Sequence, residues 1–127
     1  MAGTSDYLEA AVLDAVLRNT SYTSPTTVYV ALYTSDPGDG NTGTECSGGA
    51  YARQSAAFSR TAGVGSNTSA IEYPTATGSW GTISHVGILD AVSSGNLLYH
   101  AALSSSKAIT TGDIFRIPAA DLTVTMT

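Results

Sequence analysis

Charge is scarce in this sequence. Of 127 residues only 12 % are Asp, Glu, Lys or Arg, about half the usual share. Cations are scarcest: Arg18, Arg53, Arg60, Lys107 and Arg116 are scattered along the chain. Nucleic-acid binding needs clustered cations to neutralise phosphates, so no nucleic acid is expected as a partner. The net charge of −5 likewise disfavours an anionic membrane surface. Cys46 is the single cysteine, so no internal disulfide forms and the fold needs no oxidising compartment. No apolar run approaches the length of a membrane span. The opening MAGTSDYLEA has neither the basic region nor the apolar core of a signal peptide. The expectation is a soluble protein made in a cytoplasm.

Ser, Thr and Gly fill the place of the charges. The hydrophobic share, 43 %, is ordinary for a globular chain. One domain over residues 1–127 is expected, large enough to support its own core. A neutral polar surface suits contact with other proteins, because few charges must be desolvated when two faces meet. It equally suits a β protein that uses Ser and Thr on turns and exposed strand faces.

One helix is expected, over about residues 6–18. Asp6 and Glu9 match the capping-box spacing, with Asp in the place of Ser or Thr. Leu8, Val12, Ala15 and Val16 recur at helical spacing, and Leu13 and Leu17 widen the stripe. Asn19 is the expected stop, and Pro25 forbids continuation. From residue 26 the period changes to two. Val28, Val30 and Leu32 share one face, and Tyr29 and Tyr33 share the other. With apolar bulk on both faces, this strand should be central, or should meet a partner.

Residues 34–49 read as a long Gly-rich loop. Tyr51 to Arg60 reads as a strand, Gly63 to Ser66 as a turn, and Ser69 to Tyr73 as a short strand stopped by Pro74. Gly78-Ser79-Trp80-Gly81 is a bend. Two hairpins follow: Ile83–Ala91 with Leu97–Leu103, and Ala108–Ile109 with Ile114–Ile117. Leu122 to Met126 alternates and closes the chain. Seven to eight short strands predict a mainly β fold, a jelly-roll-like β-sandwich or barrel with one N-terminal helix.

No catalytic residue stands out. Gly-x-Ser-x-Gly is absent, and no Ser or Asp sits in a recognisable triad setting. His85 and His100 fall on the two strands of one expected hairpin. Such a pair can bind a metal or sense pH, but ordinary strand hydrogen bonds account for it as well. Asp36, Asp39 and Glu45 offer hard oxygen ligands, yet Asp36-Pro37-Gly38-Asp39 breaks the EF-hand pattern and suits a plain turn. No metal and no cofactor is expected. Gly38-x-Gly40, Gly48-Gly49 and Gly63-x-Gly65 lack the strand and helix of a phosphate cradle. Asn19-Thr20-Ser21 and Asn67-Thr68-Ser69 match the glycosylation sequon by chance. Trp80 suits a core plug or an interface anchor, with partial core burial favoured.

Several segments together carry a resemblance. They are the helix Leu8-Glu9-Ala10-Ala11-Val12-Leu13-Asp14-Ala15-Val16-Leu17-Arg18-Asn19, then Val28-Tyr29-Val30-Ala31-Leu32-Tyr33-Thr34-Ser35-Asp36-Pro37 and Ser47-Gly48-Gly49-Ala50-Tyr51-Ala52-Arg53-Gln54. Trp80-Gly81-Thr82-Ile83-Ser84-His85-Val86-Gly87-Ile88 and Gly95-Asn96-Leu97-Leu98-Tyr99 complete the set. The order resembles a family of small proteins of tailed bacteriophages, commonly labelled tail-fibre-like. Similar small β proteins serve as capsid cement or decoration proteins.

The resemblance implies a virion structural protein, made in the host cytoplasm, without catalysis or cofactor. The compact chain has no repeat and no coiled coil, so the expectation leans to a cement protein. Its partners would then be the major capsid protein and copies of itself in a homo-oligomer. The alternative is a tail-fibre or tail accessory module contacting tail proteins or a host receptor. A carbohydrate-binding form of that alternative needs an exposed aromatic platform, for which Trp80 and Tyr51 are candidates.

Overall fold

The computed structural model describes residues 3–125. Among them are one helix and ten strands: β1 (Gly3–Thr4), α1 (Asp6–Leu17), β2 (Val28–Tyr33), β3 (Gln54–Ala56), β4 (Phe58–Thr61), β5 (Val64–Asn67), β6 (Ile71–Glu72), β7 (Gly81–Leu89), β8 (Leu97–Ile109), β9 (Arg116–Ile117) and β10 (Thr123–Thr125). All pairings are antiparallel. A five-stranded sheet has the order β1-β8-β7-β2-β3, a three-stranded sheet β10-β5-β4, and a two-stranded sheet β6-β9. None closes on itself, so the sandwich expectation stands and the barrel alternative does not.

The strand predicted to be central is central. β2 lies between β7 and β3. Its Val30 and Leu32 join Ile83, Val86, Ile88 and Ile109 on the inner face of the large sheet. Against them pack Ile71, Ile117 and Val124 from the smaller sheets and Tyr73, Phe115 and Leu122 from the residues next to those strands. Tyr73 is buried with its hydroxyl donating to the Val30 carbonyl, 2.6 Å. On the outer face of β2, Ala31 and Tyr33 form a second small cluster with Leu89 and Leu97.

The expected loop after β2 is present and ordered by its own bonds. Thr34 and Cys46 amides donate to the Thr44 and Leu32 carbonyls, so the returning chain extends the sheet beside Tyr33. The turn inside it is tight, since a Cβ on Gly43 would stand 2.7 Å from the Asp36 carbonyl oxygen.

Several expectations are corrected. The helix cap is Ser5, not Asp6: the Ser5 hydroxyl accepts from the Leu8 amide at 3.1 Å and donates to the Leu97 carbonyl. The expected helical stripe is mostly not buried. Only Leu8 is buried and Ala15 is half-buried, while Leu13, Val16 and Leu17 are 56 %, 72 % and 73 % exposed. Asn19 does end the helix, at φ +54°, with the Thr20 amide closing back onto the Asp14 carbonyl.

The stretch Tyr51–Arg60 holds two strands that part at Ala57, as β3 joins the large sheet and β4 the three-stranded one. The expected turn at Gly63–Ser66 tightens to Ala62–Gly63, and Val64 already begins β5.

Ala108 and Ile109 do not pair with Ile114–Ile117. They continue β8 against Thr82 and Gly81, while Arg116 and Ile117 pair with Glu72 and Ile71. A turn does form at residues 110–113, with the Asp113 carboxylate capping the Thr110 amide. The β8 residues before that turn already have β7 as partner, so the returning chain runs beside 71–76 instead. The last strand covers Thr123–Thr125, and Met126 lies outside the described residues.

Candidate interaction surface and polar clusters

Trp80 and Tyr51 form no exposed platform. Trp80 is 3 % exposed, and its indole N–H donates to the Gly49 carbonyl at 2.8 Å. Tyr51 packs edge-on against Trp80, and Tyr73 extends the group to Phe115. The backbone at Gly49 makes this possible, since a Cβ there would stand 2.9 Å from the indole nitrogen, and φ is +53°. Trp80 is therefore a core plug.

The Tyr51 hydroxyl is equally committed. It donates to Glu45 Oε2 at 2.6 Å and accepts from the Leu32 amide. Arg53 grips both Glu45 oxygens at 2.8 Å and also reaches the Ala91 and Ser94 carbonyls. Burial raises a carboxyl's pKa, but the bonds from Arg53 and Tyr51 outweigh it and hold Glu45 below its ordinary value. Burial together with the Glu45 charge pushes the Cys46 thiol up to about 11. The network ties the long loop to the start of β3 and to the β7–β8 turn. Sequence spacing gave no sign of Arg53 as the partner of Glu45, because the 45–53 separation fits no regular element.

Asn67 is buried among backbone groups. Its amide donates to the Ser69 and Pro118 carbonyls, and its carbonyl accepts from the Leu122 amide. This sequon is therefore a structural clasp with no access for a glycan. Asn19, by contrast, is the exposed residue that ends the helix.

His85 and His100 do lie close together, as the hairpin implied. His85 faces Tyr33 on β2, and His100 faces Gly87 on β7, so both rings share the outer face of the large sheet. The loop brings two carboxylates onto them. Asp39 Oδ1 is 2.8 Å from His100 Nε2, and Asp36 Oδ1 is 3.9 Å from His85 Nε2. The sequence signal for this meeting was the adjacency of Tyr33 and the loop that starts at Thr34, readable only once the β2–β7 register is known. Glu45 joins none of these groups. Separately, Asp39 with Asp6 and Glu9 of the first helical turn forms an exposed acidic group.

Two surface features remain. One is the stripe Val12, Leu13, Val16 and Leu17 on α1, exposed and apolar. The other is a groove of about 420 Å³ between β8 and the 115–123 segment, lined by Val86, Leu103, Ser105, Phe115, Ile117 and Leu122 among others. No described helix is long and apolar enough to cross a membrane.

Comparison with known proteins places a family model over almost all of this architecture. The model described as Podophage GP4 fiber I protein gp80 matches residues 3–125. No curated protein matches the chain.

Proposed function

The chain belongs to the family of Podophage GP4 fiber I protein gp80 and is a structural protein of the phage virion, and from that premise we propose that it is a tail-fibre or tail accessory module. The match over residues 3–125 carries this reading, and it favours the tail over the capsid-cement placement that compactness favoured. The surface supports a role in assembly. Four apolar side chains of α1 stand in solvent on a chain with few charges to desolvate. We assign contacts with other virion proteins, or with copies of this chain, to that helix face. Catalysis is not part of the proposal. Recognition of a sugar through Trp80 and Tyr51 is set aside, because Trp80 is buried and Tyr51 is half-buried with its ring edge-on to it.

Separation of purified particles into heads and tails tests the placement. An antibody against the chain should detect it in the tail fraction. Its recovery with empty heads lacking tails would overturn the proposal in favour of cement.

A further inference from the structure

β8 is the longest strand, and over most of its length it borders the large sheet. On that border β1 pairs only with Tyr99 and His100, and Ser5 reaches the Leu97 and Leu98 carbonyls. Past His100 no strand among the described residues lies beside this edge. No loop or side chain among them bonds to the backbone of residues 103–108 either. The other border strands, β1, β3, β4, β6, β9 and β10, have only two to four residues each. Short border strands limit pairing with a foreign chain, and β8 lacks that limit. β7 gives little cover here, because Ile83 pairs with Lys107 and His85 with Ala102, leaving Ser84 alone opposite residues 103–106. Ser104 to Ala108 are all exposed, and Leu103 is half-buried.

The backbone of another strand satisfies such an edge, and the side chains indicate which strand. The groove beside this edge is lined by Leu103, Ser105 and Lys107 on β8 and by Phe115, Ile117 and Asp121 across from it. Lys107 and Asp121 both border the groove, yet neither has an ion-pair partner among the described residues. A second copy of the chain brings the same edge and the same two charges. A two-fold axis normal to the sheet at Ser105 sets Ser105 opposite its own copy, Ser104 opposite Ser106, and Leu103 opposite Lys107. Opposite residues share a face. Lys107 pairs with Ile83 of the core, and Leu103 packs on that core, so both lie on the groove side. Each Lys107 then arrives beside Leu103 of the other copy, on the side where Asp121 stands. The two Lys107 residues keep about 14 Å apart along the strands, beyond a screening length of about 10 Å at 0.1 M salt.

We infer that residues 103–107 form a two-fold interface with a second copy of this chain, in which antiparallel pairing of β8 with β8, centred on Ser105, joins the two large sheets into one. The interface does not depend on the tail placement, and it leaves the α1 face free for other virion proteins.

Sedimentation of the full chain over a dilution series should show a reversible equilibrium of monomer and dimer. Ser105→Lys and Ser105→Glu each set like charges on the axis and should each raise the dimer Kd at least about 10-fold. An equal mixture of the two variants should recover the dimer, since Lys then faces Glu. Ser105→Cys should oxidise to a disulfide-linked dimer, because opposite Cα atoms of an antiparallel pair stand about 4.5–5.5 Å apart, within disulfide reach. Cys46 is buried, and Thr61→Cys on the β4 border is the control that should not cross-link. A chain that stays monomeric at every concentration, with Ser105→Cys not cross-linked, overturns the inference. So does a dimer that both charge variants leave intact, which places the contact on another surface. Circular dichroism confirms folding, as expected at an exposed position outside the β7 pairing. Should either charge variant not fold, cross-linking of Ser105→Cys decides the question.

Discussion

Glu45 lies where burial and bonding pull its carboxyl in opposite directions, and bonding wins. Arg53 and Tyr51 together hold it ionised and below its ordinary pKa. Its folded-state value is thus below its unfolded one, and its contribution to stability is present above the unfolded pKa. That contribution disappears as pH falls through the folded value. Melting temperature should therefore fall on acidification through the carboxylate range. Glu45→Gln should melt lower than wild type at neutral pH and respond less to acid. Glu45→Ala leaves the Arg53 guanidinium, only 9 % exposed, without its partner, and should cost about 2–4 kcal/mol in denaturant unfolding. Trp80→Ala empties the centre of the aromatic group and should cost about 3–5 kcal/mol by the same measurement. Gly87 is a further constraint at this scale. A Cβ there would stand 2.8 Å from the Tyr33 ring and 2.9 Å from Leu97 Cδ1, so Gly87→Ala should cost about 1–3 kcal/mol through overpacking.

Among the elements, the helix shows what sequence can and cannot give. Its span was legible to within one residue from apolar spacing, acidic first-turn residues and the Asn19 stop. Its cap was not, since Ser5 and Asp6 both suit the cap position, and the choice rests on the reach of Ser5 to the Leu97 carbonyl. Periodicity also says that a helix has an apolar face without saying what covers it. On this chain Leu8 is buried and Ala15 half-buried, while Val12, Leu13, Val16 and Leu17 stay exposed. Substituting Leu13, Val16 and Leu17 together by Ser should leave denaturant stability within about 1 kcal/mol, since exposed sites contribute little. The same variant should be poorly incorporated into particles, scored by western blot after complementation of a phage lacking the gene. Undiminished incorporation would remove the helix face from the assembly surface.

At the scale of the whole molecule, strand pattern conveyed the fold class and the central place of β2, because Val28, Val30 and Leu32 alternate with Tyr29 and Tyr33. Partner choice lay beyond it. Ala108–Ile109 and Ile114–Ile117 meet every local criterion for a hairpin, yet β7 supplies the partner of the first and β6 that of the second. A local pattern ranks only neighbouring pairings, and this chain joins strands distant in sequence. The polar clusters were hidden for the same reason. Loop and hairpin meet at Asp36, Asp39, His85 and His100 only after the sheet is assembled. Placement in the virion is likewise a property of the whole surface, and compactness pointed to cement where family membership favours the tail. The two differ most sharply in number, because cement covers a shell while a tail carries few copies of each fibre. Quantitative mass spectrometry of purified particles, with isotope-labelled peptides of this chain and of the major capsid protein, measures that number directly. A tail module should be present in a small fixed count per particle, far below that of the capsid protein. A count in the hundreds, in constant ratio to the capsid protein, would contradict it.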